Sequence, residues 1–118
     1  MKKDVLRKLM LNFKKKGVTE FRVNGFDKQI PRSVSFKGNR KSFTPDMVAI
    51  YENKRDLFSV ENKILKSDLP DLIAKWILFG LEARRYGGNF YLVVDEKHSE
   101  QCQDIIKSKQ LSVELLTY

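Results

Sequence analysis

The chain has 118 residues, 42% of them apolar and 32% charged, with a single cysteine and a formal net charge of +8. Such a length supports one domain that folds without cross-links or a structural metal; the lone Cys102 excludes an internal disulfide and fits a reducing compartment. The longest uncharged apolar run, Trp76 to Leu81, is far too short to span a bilayer, and Met1-Lys2-Lys3 leads into no signal-peptide core, so a soluble cytoplasmic protein off the membrane is expected.

The charge is unevenly placed. Residues 1–44 hold thirteen Lys/Arg against three Asp/Glu, and residues 45–118 hold ten against twelve. That asymmetry points to a polyanion-facing half, with nucleic acid the expected polyanion, because the basic residues are not gathered on a helix with large apolar anchors.

Residues 3–16 are expected to form a helix. Val5, Leu6, Leu9, Met10 and Phe13 recur at helical spacing, Lys14, Lys15 and Lys16 occupy the last turn, and Gly17 stops it. Asp4 falls in its first turn, where it suits a cap or a dipole partner. Val18 to Asn24 alternates and is rich in β-formers, predicting the first strand, ended by Gly25. Residues 26–44 are less regular. Lys37-Gly38-Asn39-Arg40 suits a tight hairpin turn with Val34, Phe36 and Phe43 on its arms. Arg32, Lys37, Arg40 and Lys41, interleaved with hydroxyl residues, make this insertion basic, which suits either phosphate binding or a solvated hairpin.

Asp46 to Tyr51 predicts a strand, Glu52-Asn53-Lys54-Arg55-Asp56 a polar break, and Leu57 to Ile64 a second strand. Alternation would put Glu61 and Lys63 on one face of it and Phe58, Val60 and Ile64 on the other. Two carboxylates and an amine from neighbouring strands are what a hard divalent cation and an activated water require. The plainer alternative makes Asp46 a turn residue and Glu61 with Lys63 a surface ion pair.

Ser67 or Asp68 then caps a long helix with Pro70 in its first turn. Its apolar stripe is Leu69, Leu72, Ile73, Trp76, Ile77, Gly80 and Ala83, widened by Leu78, Phe79 and Leu81, and part of it could be covered by a second chain. Gly80 suggests close backbone approach, and Trp76 reads as core rather than as a base-stacking platform. Asn89 to Val94 is a central buried strand, residues 98–109 a short helix using Cys102, Ile105 and Ile106, and Leu111 to Leu116 an edge strand. A single histidine, His98, argues against a zinc site.

The order α-β-(hairpin)-β-β-α-β-α-β predicts an α/β sandwich with a mixed sheet. Pro45-Asp46, followed after fourteen residues by Glu61-Asn62-Lys63 at a strand end, resembles the PD-(D/E)XK nuclease superfamily. The resemblance covers about residues 3–95, with residues 26–44 as a basic insertion and residues 98–116 as an extension. It implies a restriction endonuclease-like αβββαβ core and metal-dependent hydrolysis of DNA phosphodiesters. By that resemblance Asp46 and Glu61 would hold Mg²⁺ (or Mn²⁺), with the Asn62 carbonyl as a further ligand, Asp4 as the helix acid, and Lys63 orienting the attacking water. No lysine or glutamine on the long helix stands out as a supplement. DNA is expected on Lys14, Lys15, Arg32, Lys37, Arg40 and Lys41, in preference to RNA, and a homodimer would let two sites address two strands. The other reading is a non-catalytic nucleic-acid-binding or assembly module on the same fold.

Overall fold

The computed structural model describes residues 2–26, 29–36 and 41–118. Its elements run in the order α1 (Lys2–Lys14), β1 (Glu20–Val23), β2 (Met47–Ile50), β3 (Arg55–Glu61), α2 (Leu69–Arg85), β4 (Phe90–Val94), α3 (Ser99–Ser108) and β5 (Glu114–Thr117), with short 3₁₀ turns at Lys66–Asp68 and Glu96–His98. The five strands form one sheet in sequence order. β1, β2 and β3 pair antiparallel, whereas β3, β4 and β5 pair parallel. The protein is therefore the expected α/β sandwich with a mixed sheet.

Helices cover both faces, and the side-chain alternation of the strands decides which residues meet which helix. On one face, Val5, Leu6, Leu9 and Phe13 of α1 pack on Val23, Met47, Ala49, Phe58, Val60 and Val93. Phe13, Phe58 and Tyr91 meet there with ring centroids 4.9–5.2 Å apart, contacts worth about 0.5–1.5 kcal/mol each beyond area burial. On the opposite face, Trp76, Phe79 and Ala83 of α2 and Cys102 of α3 pack on Val48, Leu57, Leu92 and Val94. The two parallel crossovers both advance in one direction across the sheet, which brings α2 and α3 to one face. β4 lies between β3 and β5 and is buried almost throughout, as its unbroken apolar run implies.

Turn chemistry sets the ends. Gly17 and Gly25 take positive φ after α1 and β1, where a side chain would be strained. Gly80 brings α2 against the chain leading into β5: a Cβ there would stand 3.1 Å from the Ser112 carbonyl oxygen. The expected close backbone approach is present.

Several local expectations are corrected. Arg55 and Asp56 belong to β3 and not to the polar break, and Asp56 is fully buried. Its Oδ1 accepts the Asn89 N–H at 2.9 Å, a bond that ties the start of β4 to β3, while its Oδ2 is buried with no hydrogen-bond partner among the described residues. β3 stops at Glu61, so Lys63 lies beyond the ladder. Ile64, freed from strand alternation, packs in the Trp76 cluster and not with Phe58 and Val60. Asp68 occupies the cap position of α2 without a capping side-chain bond. Ile77 and Leu81 face solvent, because the buried face of α2 is centred on Trp76, Phe79, Gly80 and Ala83. The arms of the expected hairpin meet at Val34 and Phe43 through two backbone hydrogen bonds of 2.7 and 2.8 Å; its turn, with Lys37 and Arg40, lies outside the described residues.

Candidate functional site

Asp46 precedes β2, and Glu61 is the last residue of β3. Between Pro45 and Met47 the ladder gives way, and the side chain of Asp46 replaces a backbone acceptor. Its Oδ2 takes the Val60 N–H at 2.7 Å, while its backbone N–H donates to the Phe58 carbonyl at 3.0 Å. Asp46 is thereby fixed beside the residue that precedes Glu61. Its Oδ1 lies 3.2 Å from Lys2 Nζ, so the part of α1 that reaches this carboxylate is a cation. The carboxylate is mostly covered and the lysine is 42% exposed, an arrangement in which the ion pair is readily exchanged for another cation.

Glu61 points to the α2 face and is held on three sides. Its Oε2 accepts the Ser59 hydroxyl at 3.1 Å and the Trp76 indole N–H at 3.1 Å, and it lies 2.6 Å from Lys75 Nζ. All three donors reach one oxygen; no described residue donates to Oε1. Lys75 and Glu61 are only 19% and 10% exposed, so water screens this pair weakly. Trp76 is wholly buried and is core, as its stripe position implies, but its N–H also needs an acceptor, and Glu61 supplies it.

The remaining expected residues are placed as follows. Asn62 is exposed, and its Oδ1 accepts the Tyr118 hydroxyl at 3.3 Å. Lys63 is exposed just past the end of β3. Asp4 is exposed on α1 and pairs with Arg7 at 3.3 Å. Lys14 and Lys15 are exposed at the end of α1, Arg32 is exposed in the segment after β1, and Lys41 pairs with Asp71 at 3.1 Å. His98 occupies the cap position of α3 without a capping side-chain bond.

Four residues were not legible as site components: Lys2, Ser59, Lys75 and Tyr118. Ser59 could have been found, because it lies two residues before Glu61 on the same strand face. Lys75 carried no local signal, because its partner Glu61 comes from β3. The Tyr118 phenol has its pKa pushed up by burial and then by the charge of Asp95, with Lys2 acting in the opposite sense. Cys102, buried under the same face, has its thiol pushed up to about 11 by burial and then by the negative charge of Glu61.

Among the described residues no group of three or more Asp, Glu, His or Cys is arranged to hold a metal. A fully protein-built cage of the calcium type is thus not formed by them. Mg²⁺ makes a smaller demand, one or two carboxylates with water and substrate phosphate completing the shell. Asp46 and Glu61 each keep acceptor sites beyond those their present donors occupy, but Asp46 meets Lys2 of α1 and Glu61 meets Lys75 and Trp76 of α2, helices on opposite faces of the sheet. No described helix is long and apolar enough to cross a membrane. No protein family, curated protein or solved structure was found to match the chain.

Proposed function

We propose that the chain is a metal-dependent endonuclease that hydrolyses phosphodiester bonds in DNA. The observation that carries this reading is the anchoring of the Asp46 carboxylate on the Val60 N–H, immediately before Glu61. It fixes Asp46, at the start of β2, beside the end of β3 where Glu61 stands, which supports the reading. Asp46 and Glu61 would hold Mg²⁺ or Mn²⁺, with the Asn62 carbonyl adjoining. The cation, when bound, supplies a water of lowered pKa and neutralises charge on the phosphate.

The chain's own residues then have separable tasks. Ser59, Trp76 and Lys75 fix Glu61 in one rotamer, so its free oxygen keeps one direction. Lys63, exposed beside Asn62, is the amine available to the phosphate or to the attacking water from the solvent side. Lys75 is a positioning residue whose charge also offsets that of Glu61. Lys14, Lys15, Arg32 and Lys41 would contact the DNA backbone, and their placement before residue 45 makes binding electrostatic and salt-dependent. A cytoplasmic homodimer accords with Ile77 and Leu81, large apolar residues exposed one turn apart on α2.

One observation favours the non-catalytic alternative. Lys2, Val60 and the three partners of Glu61 already satisfy much of both carboxylates. Nicking of supercoiled plasmid decides between the two. Mg²⁺-dependent nicking that falls by about 100-fold or more in Asp46→Asn and Glu61→Gln supports the enzyme. DNA binding without nicking supports the module, and duplex, branched and RNA substrates compared side by side rank the targets.

A further inference from the structure

Away from the two carboxylates, the α2 face of the sheet carries a second polar feature. Arg22 on β1 stands opposite Val48, and Val48 opposite Leu57, so these three side chains line one row across the sheet. Arg55 lies two residues before Leu57 on the same face. Val48 and Leu57 form the floor of a cavity walled by Arg22, Arg32, Arg55 and Tyr86. It holds about 30 Å³, room for one or two waters or a single small polar group. A wider cavity of about 360 Å³ adjoins it, sharing Arg32, Val34 and Glu82 and adding Ser33, Ser35 and Arg85. Its size lies within the range of pockets that take small organic ligands.

The charge in this cleft is unbalanced. Glu82 is its one carboxylate, and Glu82 is already 3.7 Å from Arg85. Arg22 pairs with Glu20 at 2.9 Å on the strand edge. Among the described residues no carboxylate lies within ion-pair distance of Arg32 or Arg55. Arg55 instead stacks on Tyr86, its guanidinium carbon 4.8 Å from the ring centroid. Stacking holds a guanidinium flat and leaves its in-plane N–H fork directed outward, the geometry that grips a phosphate through two oxygens. Apolar walls of Val34, Pro45, Val48 and Leu57 limit screening of the interaction.

We propose that this cleft binds the terminal phosphate of a nucleic-acid strand at the mouth of the small cavity, with one phosphate oxygen entering it and the adjoining nucleotide in the wider cavity. A phosphomonoester, carrying about 1.5–2 negative charges, matches Arg32 and Arg55, the two arginines of the small cavity with no ion pair among the described residues, better than an internal diester does. The cleft also meets the candidate metal site in sequence. Pro45 lines it and Asp46 follows, while Glu61 lies on the same face, six residues and about 20 Å along β3 from Arg55.

The inference rests on nucleic acid as the substrate but not on hydrolysis, so its test is run in EDTA. Fluorescence anisotropy would compare one labelled oligonucleotide bearing a 5′-phosphate, a 3′-phosphate or hydroxyls at both ends. The expected result is binding about tenfold or more tighter for one phosphorylated end, with that preference competed by inorganic phosphate. Arg32→Gln removes the preference, and Arg55→Lys, which keeps the charge and loses the fork, reduces it. Equal affinity for all three oligonucleotides overturns the proposal, as does a preference unchanged in both variants. A protein that shows the preference but never nicks DNA would sink the hydrolytic reading and leave the cleft standing; nicking without the preference does the reverse.

Discussion

Lys75 Nζ lies 2.6 Å from Glu61 Oε2, the oxygen that also accepts the indole N–H of Trp76 at 3.1 Å. Two consecutive residues of α2 thus reach one carboxylate at the end of β3, and the helix fixes the orientation of a strand residue. Lys75→Met leaves Glu61 mostly buried without its cation. It should lower the unfolding free energy by about 1–3 kcal/mol, read from urea unfolding. The Lys75→Met, Glu61→Gln double variant should recover part of that loss, because the partners are removed together. Strictly additive effects would show that the two side chains do not interact.

Trp76→Phe preserves most of the core volume and removes one donor to Glu61 Oε2. Stability should fall by about 1–2 kcal/mol. If Glu61 is held for chemistry, nicking should slow at saturating DNA while DNA affinity stays unchanged. A loss confined to affinity would assign Trp76 to binding instead.

At the other end of β3, Asp56 is fully buried, and Asn89 donates its backbone N–H to it at 2.9 Å. Gly88 makes this possible: a Cβ at that position would fall on the Arg55 carbonyl and 2.7 Å from Asp56 Oδ1. Gly88→Ala must therefore displace the start of β4 from β3. A destabilisation of about 4 kcal/mol or more, or failure to fold, is expected. Gly80→Ala offers a milder comparison, because the helix-propensity gain of about 1 kcal/mol partly offsets crowding against Ser112. Equal tolerance of both substitutions in thermal melts would contradict the placement of Gly88.

Alkaline stability follows from Cys102. Burial, and then the charge of Glu61, raises the thiol from its ordinary 9.0 to about 11 in the folded chain. Between those values the unfolded state has lost its proton and the folded state keeps it. Stability is then complete below pH 9 and declines as pH rises towards 11, by about 1.4 kcal/mol per unit at most. Tyr51, Tyr91 and Tyr118, also raised chiefly by burial, extend the decline above pH 10. Cys102→Ala should flatten the first part of this slope, and the native thiol should resist a disulfide exchange reagent at pH 8. A stability profile flat from pH 8 to 10.5 would contradict the burial of this group.

The order of elements was legible because each has its own signal: the helical period before Gly17, the apolar run of β4, and Pro70 at the head of α2. Trp76 as core and Gly80 as a contact point followed from position on a helix. Asp56 was not legible, since nothing local distinguishes a buried aspartate from a turn aspartate; its partner is Asn89, in another strand. The same limit explains Lys75. A lysine beside a tryptophan on a helix is unremarkable until a glutamate from β3 arrives opposite it. That Asp46 and Glu61 stand at neighbouring ends of β2 and β3 was legible, because a short connection nearly enforces the pairing of those strands. Lys63 was mis-set on the strand face because the ladder ends at Glu61, three residues earlier than the β pattern that runs to Ile64.

In the proposed enzyme Asp46 and Glu61 share a divalent cation in the presence of DNA. Crystals grown with a short duplex and Mn²⁺, with diffraction collected at the manganese edge, test it most directly. The account predicts an anomalous peak within coordination distance of an oxygen from each of the two carboxylates, absent in Glu61→Gln crystals. DNA bound on the basic surface with no peak there, or with a peak coordinated elsewhere, would contradict it.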